Sequence, residues 1–148
     1  MNIHEINKTE VESLLECLSA LSEYHNEVST NFKSAYPSRP FEATLALFCE
    51  NLESGVSQIA VIESAEKVIG FCKIDILNGI GKLDYLMVLQ EYRGNGYGKQ
   101  LMDWAMEQFH KSNVKHIEVK VVDGNNTIHL YEKYGFQMSS HILWYKCD

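Results

Sequence analysis

One stretch limits what this chain can fold into more than any other. Leu83 to Lys99 reads L-D-Y-L-M-V-L-Q-E-Y-R-G-N-G-Y-G-K. An apolar run from Leu83 to Leu89 stops at a polar turn. Three glycines follow at alternate positions, Gly94, Gly96 and Gly98, and an amphipathic pattern (Leu101, Met102, Trp104, Ala105, Met106, Phe109) begins at once. The pattern predicts a strand, a tight glycine loop, and a helix whose first turn is the loop itself. Glycine permits unusual dihedrals and lets a ligand approach the backbone closely. The first N–H groups of a helix lack internal partners and sit at the positive end of its dipole, which makes such a loop a ready site for phosphate.

Two nucleotide-binding patterns share this outline and neither fits. The dinucleotide fingerprint requires G-x-G-x-x-G, and the P-loop requires G-x-x-x-x-G-K-[S/T]. The spacing here is G-x-G-x-G.

Either side of this unit, the hydrophobic pattern predicts further elements. Asn2 to Asn7 alternates as a short edge strand. Thr9 to Glu12 has the S/T-x-x-E spacing of a capping box, with Thr9 as N-cap, opening a helix through Val11, Leu14, Leu15, Leu18 and Leu21 that ends near Glu23 to Asn26. Pro40 suits the first turn of a second helix with Phe41, Leu45, Phe48 and Leu52 on one face. Gln58 to Glu63 and Val68 to Leu77 form a hairpin, with a bulge expected at Gly70, and Asn78-Gly79-Ile80-Gly81 is the next turn. The central helix runs to about Ser112. A buried strand spans His116 to Val122, a short helix Thr127 to Tyr134 ends at Gly135, and Phe136 to Cys147 reads as two short strands or one long bent one.

The residues Arg93-Gly94-Asn95-Gly96-Tyr97-Gly98 fit [R/Q]-x-x-G-x-[G/A], and Leu130-Tyr131-Glu132-Lys133-Tyr134-Gly135-Phe136 fits L-Y-E-K-x-G-F. In that order and spacing the two blocks resemble the GNAT superfamily of N-acetyltransferases, from about Val68 to Phe136 well and over the first third loosely. The resemblance implies an α+β fold, a single domain over residues 1–148. Its central mixed, mostly antiparallel sheet has six or seven strands and is flanked by about four helices. The element order, which mixes hairpins with crossover helices, agrees.

The resemblance also implies acetyl-CoA as co-substrate. The N–H groups of Gly94, Asn95, Gly96, Tyr97, Gly98 and Lys99 would cradle its pyrophosphate. Arg93 would shape the loop or clamp phosphate, or alternatively cap the strand end. In this superfamily the central strand splays from its neighbour and pairs with the pantetheine arm, which here would involve Leu86, Met87 and Val88. Tyr131 stands at the superfamily's tyrosine position, where a phenol donates a proton to the leaving thiolate. Asp84 stands where many members carry Glu. It is a candidate base through a bridging water, or a structural ion-pair partner. An alkyl amine is the free base in only about 1 in 2,500 molecules at pH 7, roughly 4.6 kcal/mol of barrier, so a proton acceptor matters. The chain departs from the family by having Gly124 and Thr127 where Asn and Ala are common. Asn126 is left to reach the cofactor or cap the short helix.

Composition narrows the partners. The formal charge is −7 over 148 residues. Nine acids and three bases lie between Met1 and Val56, a net of −6, so nucleic acid is not expected as a partner. That acidic third either attracts a cationic acceptor or forms solvated helix faces. No stretch is apolar enough to span a membrane, no leader is evident at Met1 to Glu5, and Cys17, Cys49, Cys72 and Cys147 lack C-x-x-C spacing. The expectation is a cytoplasmic protein with reduced thiols, no metal and a possible homodimer. The function expected is N-acetyl transfer to a primary amine (a small cationic amine, a polyamine, or a lysine or N-terminal amine) in a ternary complex. The alternative is a non-catalytic acyl-CoA sensor or scaffold; a longer acyl group would need room near Met87 and Phe136.

Overall fold

The computed structural model describes residues 2–147. β1 (Ile3–Glu5) leads into a 3-10 helix (Lys8–Leu14), α1 (Leu15–Val28) and α2 (Phe41–Glu53). β2 (Ser57–Ser64), β3 (Lys67–Leu77) and β4 (Ile80–Val88) follow as a meander. A 3-10 turn (Gln90–Tyr92) then precedes α3 (Tyr97–Lys111), β5 (His116–Val119) and α4 (Ile128–Lys133). The sheet order is β1-β2-β3-β4-β5, antiparallel except for the β4–β5 pair. Ala65-Glu66 and Asn78-Gly79 join the hairpins with positive φ at both turn residues, the twist that suits a tight antiparallel connection. The crossover through α3 makes β5 parallel to β4.

The mixed α+β architecture matches expectation, but among the described residues the sheet has five strands, not six or seven. Phe136 to Cys147 forms no strand. Its apolar residues find no sheet edge: Leu143 and Tyr145 are 86% and 91% exposed. Trp144 instead packs across Phe32 at 5.0 Å and Tyr36 at 6.3 Å between ring centroids. β-propensity without a pairing partner does not make a strand. β5 is likewise shorter than predicted, ending at Val119.

The first cap also moves. Asn7, not Thr9, is the N-cap: its side chain accepts from the Thr9 N–H at 2.9 Å, and Glu10 accepts from the Asn7 N–H at 3.2 Å. Asn7–Glu10 offers the same reciprocal spacing two residues earlier, so the chain begins to coil sooner, as a 3-10 turn that buries Val11 and Leu14.

Two bulges shape the sheet. One leaves Ile69 without a partner between the pairs Ile62↔Gly70 and Glu63↔Val68, next to the predicted Gly70. The other leaves Asp84 unpaired between Ile74↔Leu83 and Lys73↔Tyr85. A bulge turns two successive side chains towards one face and sharpens the twist. Tyr85 therefore meets Phe48 of α2 at 5.1 Å and stacks on Phe71 at 5.8 Å, while its neighbour Asp84 reaches Lys73 on the same face. Leu101, Met102, Ala105 and Phe109 of α3 are fully buried in the core.

Candidate functional site

β4 and β5 pair from Ile80↔His116 to Leu83↔Val119 and then part. Beyond that point the β4 edge facing away from β3 has no strand partner. A cleft of about 520 Å³ opens there, bounded by Lys82 to Val88 on one side and Val119 to Val122 on the other. The α1–α2 connection, the start of α3 and α4 close it. Leu86, Met87 and Val88 all line this opening.

The glycine loop closes one end. Arg93 donates from Nε to the Val88 carbonyl at 2.9 Å, and its guanidinium lies 5.1 Å from the Tyr24 ring centre. Of the roles considered for Arg93, the strand-end cap is the one the geometry displays. Gly94 and Gly96 have φ of +82° and +83°, the left-handed region that other residues enter at a cost. A Cβ at either position would meet nothing within 4 Å, so that side of the loop is open. Among the described residues, no acceptor takes the N–H groups of Gly94 to Lys99. Arg93, Gly94, Gly96, Tyr97 and Gly98 border the cleft. Asn95 and Lys99 do not: Asn95 donates its side-chain amide to the Tyr92 carbonyl at 3.0 Å, and Lys99 pairs along the helix with Asp103 at 2.7 Å. What these two offer a phosphate is their backbone.

At the other end lies a charge cluster. Lys73 is only 1% exposed. Its Nζ donates to Asp84 Oδ2 at 2.7 Å and to Asp75 Oδ1 at 2.8 Å, and lies 5.1 Å from the centre of the Phe48 ring. Ser57 donates its hydroxyl to Asp75. Asp84 Oδ1 lies 3.4 Å from Lys82 and borders the cleft. Asp84 is thus both an ion-pair partner and a cleft residue. Lys73 was missed in the sequence, although a lysine inside V-I-G-F-C-K-I had to find a carboxylate once that strand was buried.

Tyr131 projects from α4 into the wall of the cleft and is 8% exposed. Burial, with a smaller contribution from nearby Cys72, raises its phenol to about 12, so it carries its proton throughout the neutral range. Tyr134 points away and donates to Asp103 at 3.2 Å. Asn126 is outside the cleft lining, and α4 has Thr127 as its N-cap with no side-chain cap bond. Asn125 borders the cleft, and its Oδ1 accepts from the Thr127 N–H at 3.0 Å and the Tyr24 hydroxyl at 3.4 Å. The departure at Gly124 has a steric cause. A Cβ there would stand 2.1 Å from the Val28 carbonyl oxygen, so no side chain fits.

The acidic third does not face the cleft. All nine carboxylates before Val56 are exposed and none borders the opening; they are solvated faces. The charged residues that do line it are Arg39, Lys82, Arg93, Lys120 and Asp84. His25, also in the lining, is biased towards its neutral form because burial lowers its pKa.

The sequence profile of the acetyltransferase (GNAT) family matches residues 21–136, more than half of the chain. The chain belongs to that family. No curated protein sequence matches it significantly. Solved structures do. The PaiA N-acetyltransferase of Thermoplasma acidophilum, in complex with coenzyme A, superposes with a TM-score of 0.76 at 16% identity, covering 96% of this chain and 94% of that one. The aminoglycoside N-acetyltransferase AAC(6')-Iy in complex with CoA gives 0.71 at 19%, covering 99% and 93%. The ribosomal-protein-alanine N-acetyltransferase of Brucella melitensis biovar Abortus gives 0.68 at 15%, covering 98% and 100%. These likenesses show the GNAT fold. Membership makes the protein an acetyltransferase, and two of these structures hold coenzyme A. The free N–H run at the start of α3 and the unpaired β4 edge fit that coenzyme's pyrophosphate and pantetheine arm. No helix among the described residues is long and apolar enough to cross a membrane, and no cluster of three or more His, Cys, Asp or Glu side chains is placed to hold a metal.

Proposed function

We propose that this GNAT acetyltransferase moves the acetyl group of acetyl-CoA to a primary amine by direct attack within a ternary complex. The observation that carries the reading is the cleft at the β4–β5 fork, with free backbone donors at one end and Asp84 and Tyr131 in its walls. Acetyl-CoA supplies a thioester carbonyl and a thiol leaving group. Gly94 to Lys99 anchor the pyrophosphate through their N–H groups, and Leu86 to Val88 offer a strand edge to the pantetheine arm.

Asp84 accepts the proton that the acceptor ammonium must lose, directly or through one water. Its Oδ2 is held by Lys73, which leaves Oδ1, towards Lys82, as the oxygen for that work. Tyr131 donates its phenolic proton to the departing sulfur and is suited to this because burial keeps it protonated. Direct attack is supported by the cysteines. None borders the cleft, and burial raises the thiols of Cys17 and Cys72, which withholds the nucleophilic thiolate.

The test is calorimetric titration with acetyl-CoA followed by thiol release on a panel of amines, an aminoglycoside among them, for the wild type and Tyr131→Phe. The expected result is micromolar binding, with turnover on some amine that Tyr131→Phe reduces strongly. Binding without turnover on any amine would leave a cofactor-binding module and overturn the proposal.

A further inference from the structure

We infer that the preferred acceptor carries an anionic group, a carboxylate or a phosphate, on the same molecule as its reactive amine, and that Arg39 and Lys82 receive it. The inference deepens the proposed N-acetyl transfer and rests on it.

Position separates the two ends of the cleft. Lys82 and Val88 are six residues apart on β4, about 20 Å along a strand, and the glycine loop adjoins Val88 through Arg93. Lys82 and Asp84 therefore belong to the end away from the phosphate donors, and Arg39 lines the same cleft from the α1–α2 connection. Within that end the carboxylates are already matched. Asp75 and Asp84 share Lys73, and Asp84 also faces Lys82, two negative charges against two positive. Arg39 then stands in excess. It lines the cleft, is exposed, and makes no hydrogen bond or ion pair among the described residues. Arg39 stands two residues before α2, whose Phe48 packs on Tyr85, the residue after Asp84 in the same cleft, and it offsets part of the rise that burial and Asp84 impose on the Tyr85 phenol.

A diamine bound with one nitrogen at Asp84 would set its second ammonium among Arg39 and Lys82, with no carboxylate left to pair it. Like charges in a partly enclosed site repel. An amine bearing an anionic group meets the opposite situation. The guanidinium fork of Arg39 matches the planar oxygen pair of a carboxylate or two oxygens of a phosphate, and Lys82, 3.4 Å from Asp84, adds an ammonium to the same cleft. The nine exposed carboxylates of the first third lie outside this end and do not alter its sign.

The experiment measures thiol release from acetyl-CoA with matched acceptors: γ-aminobutyrate and β-alanine, the neutral-tailed butylamine and propylamine, the diamines putrescine and 1,3-diaminopropane, and phosphoethanolamine. We expect kcat/KM for the aminocarboxylates or phosphoethanolamine to exceed that for the diamines at least tenfold. The comparison between β-alanine and phosphoethanolamine decides which anion is preferred. Arg39→Ala should lower the ratio of anionic to neutral acceptors about tenfold, chiefly through KM, and Arg39→Glu should turn the preference towards diamines. Diamines outperforming every anionic acceptor, or an Arg39→Ala variant whose ratio is unchanged, overturns this inference and leaves N-acetyl transfer standing. Thiol release with none of these acceptors or the wider amine panel, in protein that binds acetyl-CoA, overturns both.

Discussion

Lys73 Nζ lies 2.7 Å from Asp84 Oδ2 across the β3–β4 hairpin, with the lysine buried and the aspartate at the edge of the cleft. The hairpin register carried on from Asp75↔Lys82 and Ile74↔Leu83 sets Asp84 on the Lys73 face, and the bulge after Leu83 brings Tyr85 to that face as well. A core lysine thereby fixes the orientation of a carboxylate at the candidate site. Removing the lysine leaves the partly buried Asp75 without a cation and Asp84 with Lys82 alone, 3.4 Å away. We expect Lys73→Met to cost about 3–5 kcal/mol in urea unfolding, the range for breaking a buried pair by removing one partner. Adding Asp75→Asn and Asp84→Asn should recover part of that loss. A single variant as stable as the wild type would show that the network contributes nothing.

Tyr131 and Tyr134 sit three residues apart on one helix and face different surroundings. Tyr131→Phe should lower kcat by about 100-fold or more, in keeping with loss of a general acid, while the acetyl-CoA dissociation constant stays within about twofold. Tyr134→Phe should retain activity. Because the Tyr131 phenol is raised to about 12, its ionisation should produce no alkaline decline in kcat below pH 10. A decline below pH 10 that disappears in Tyr131→Phe would contradict the assignment.

Gly96 and Gly124 both have positive φ and differ in what surrounds them. At Gly96 an added Cβ meets open space, so Gly96→Ala should cost only the left-handed conformation, about 1–2 kcal/mol, and should weaken acetyl-CoA binding by disturbing the loop N–H groups. At Gly124 the same Cβ would stand 2.1 Å from the Val28 carbonyl oxygen. Gly124→Ala should therefore destabilise more than Gly96→Ala in parallel thermal scans, and equal losses would refute the steric account.

His25 packs edge-on against Tyr36 at 5.1 Å, and burial lowers its pKa below the usual 6.5. In that case the unfolded chain binds the proton more readily than the folded one. The contribution to stability is complete above pH 6.5 and is lost as pH falls towards the folded-state value. We expect wild-type unfolding free energy to decline below pH 6.5 with the slope of at most one proton, and this part of the slope to vanish in His25→Phe. Identical pH profiles for the two proteins would exclude the effect.

Much of this was legible without coordinates because it rests on local rules. The strand, glycine loop and helix around Leu83 to Phe109 follow from periodicity and from glycine's conformational freedom, and both motif blocks fall on the elements expected. The hairpin turns at Ala65-Glu66 and Asn78-Gly79 are equally local. Failures began where two local signals competed, as with Asn7 over Thr9 for the first cap, or where a segment had β-type residues and no sheet edge to meet, as from Phe136 to Cys147.

The sequence by itself determined the family, the order of elements and the backbone that can cradle a phosphate, because each is written in contiguous residues. Tertiary structure alone decided which charges meet the cleft. It joined Lys73, within an apolar strand, to Asp84 eleven positions away, set Asn125 rather than Asn126 in the cleft lining, and left all nine early carboxylates away from the cleft while Arg39 lines it. Net charge sums over the chain, whereas an acceptor feels only the few charges within a Debye length or less of its binding place. Which few those are is set by the bulge, the fork and the loop that pack around them.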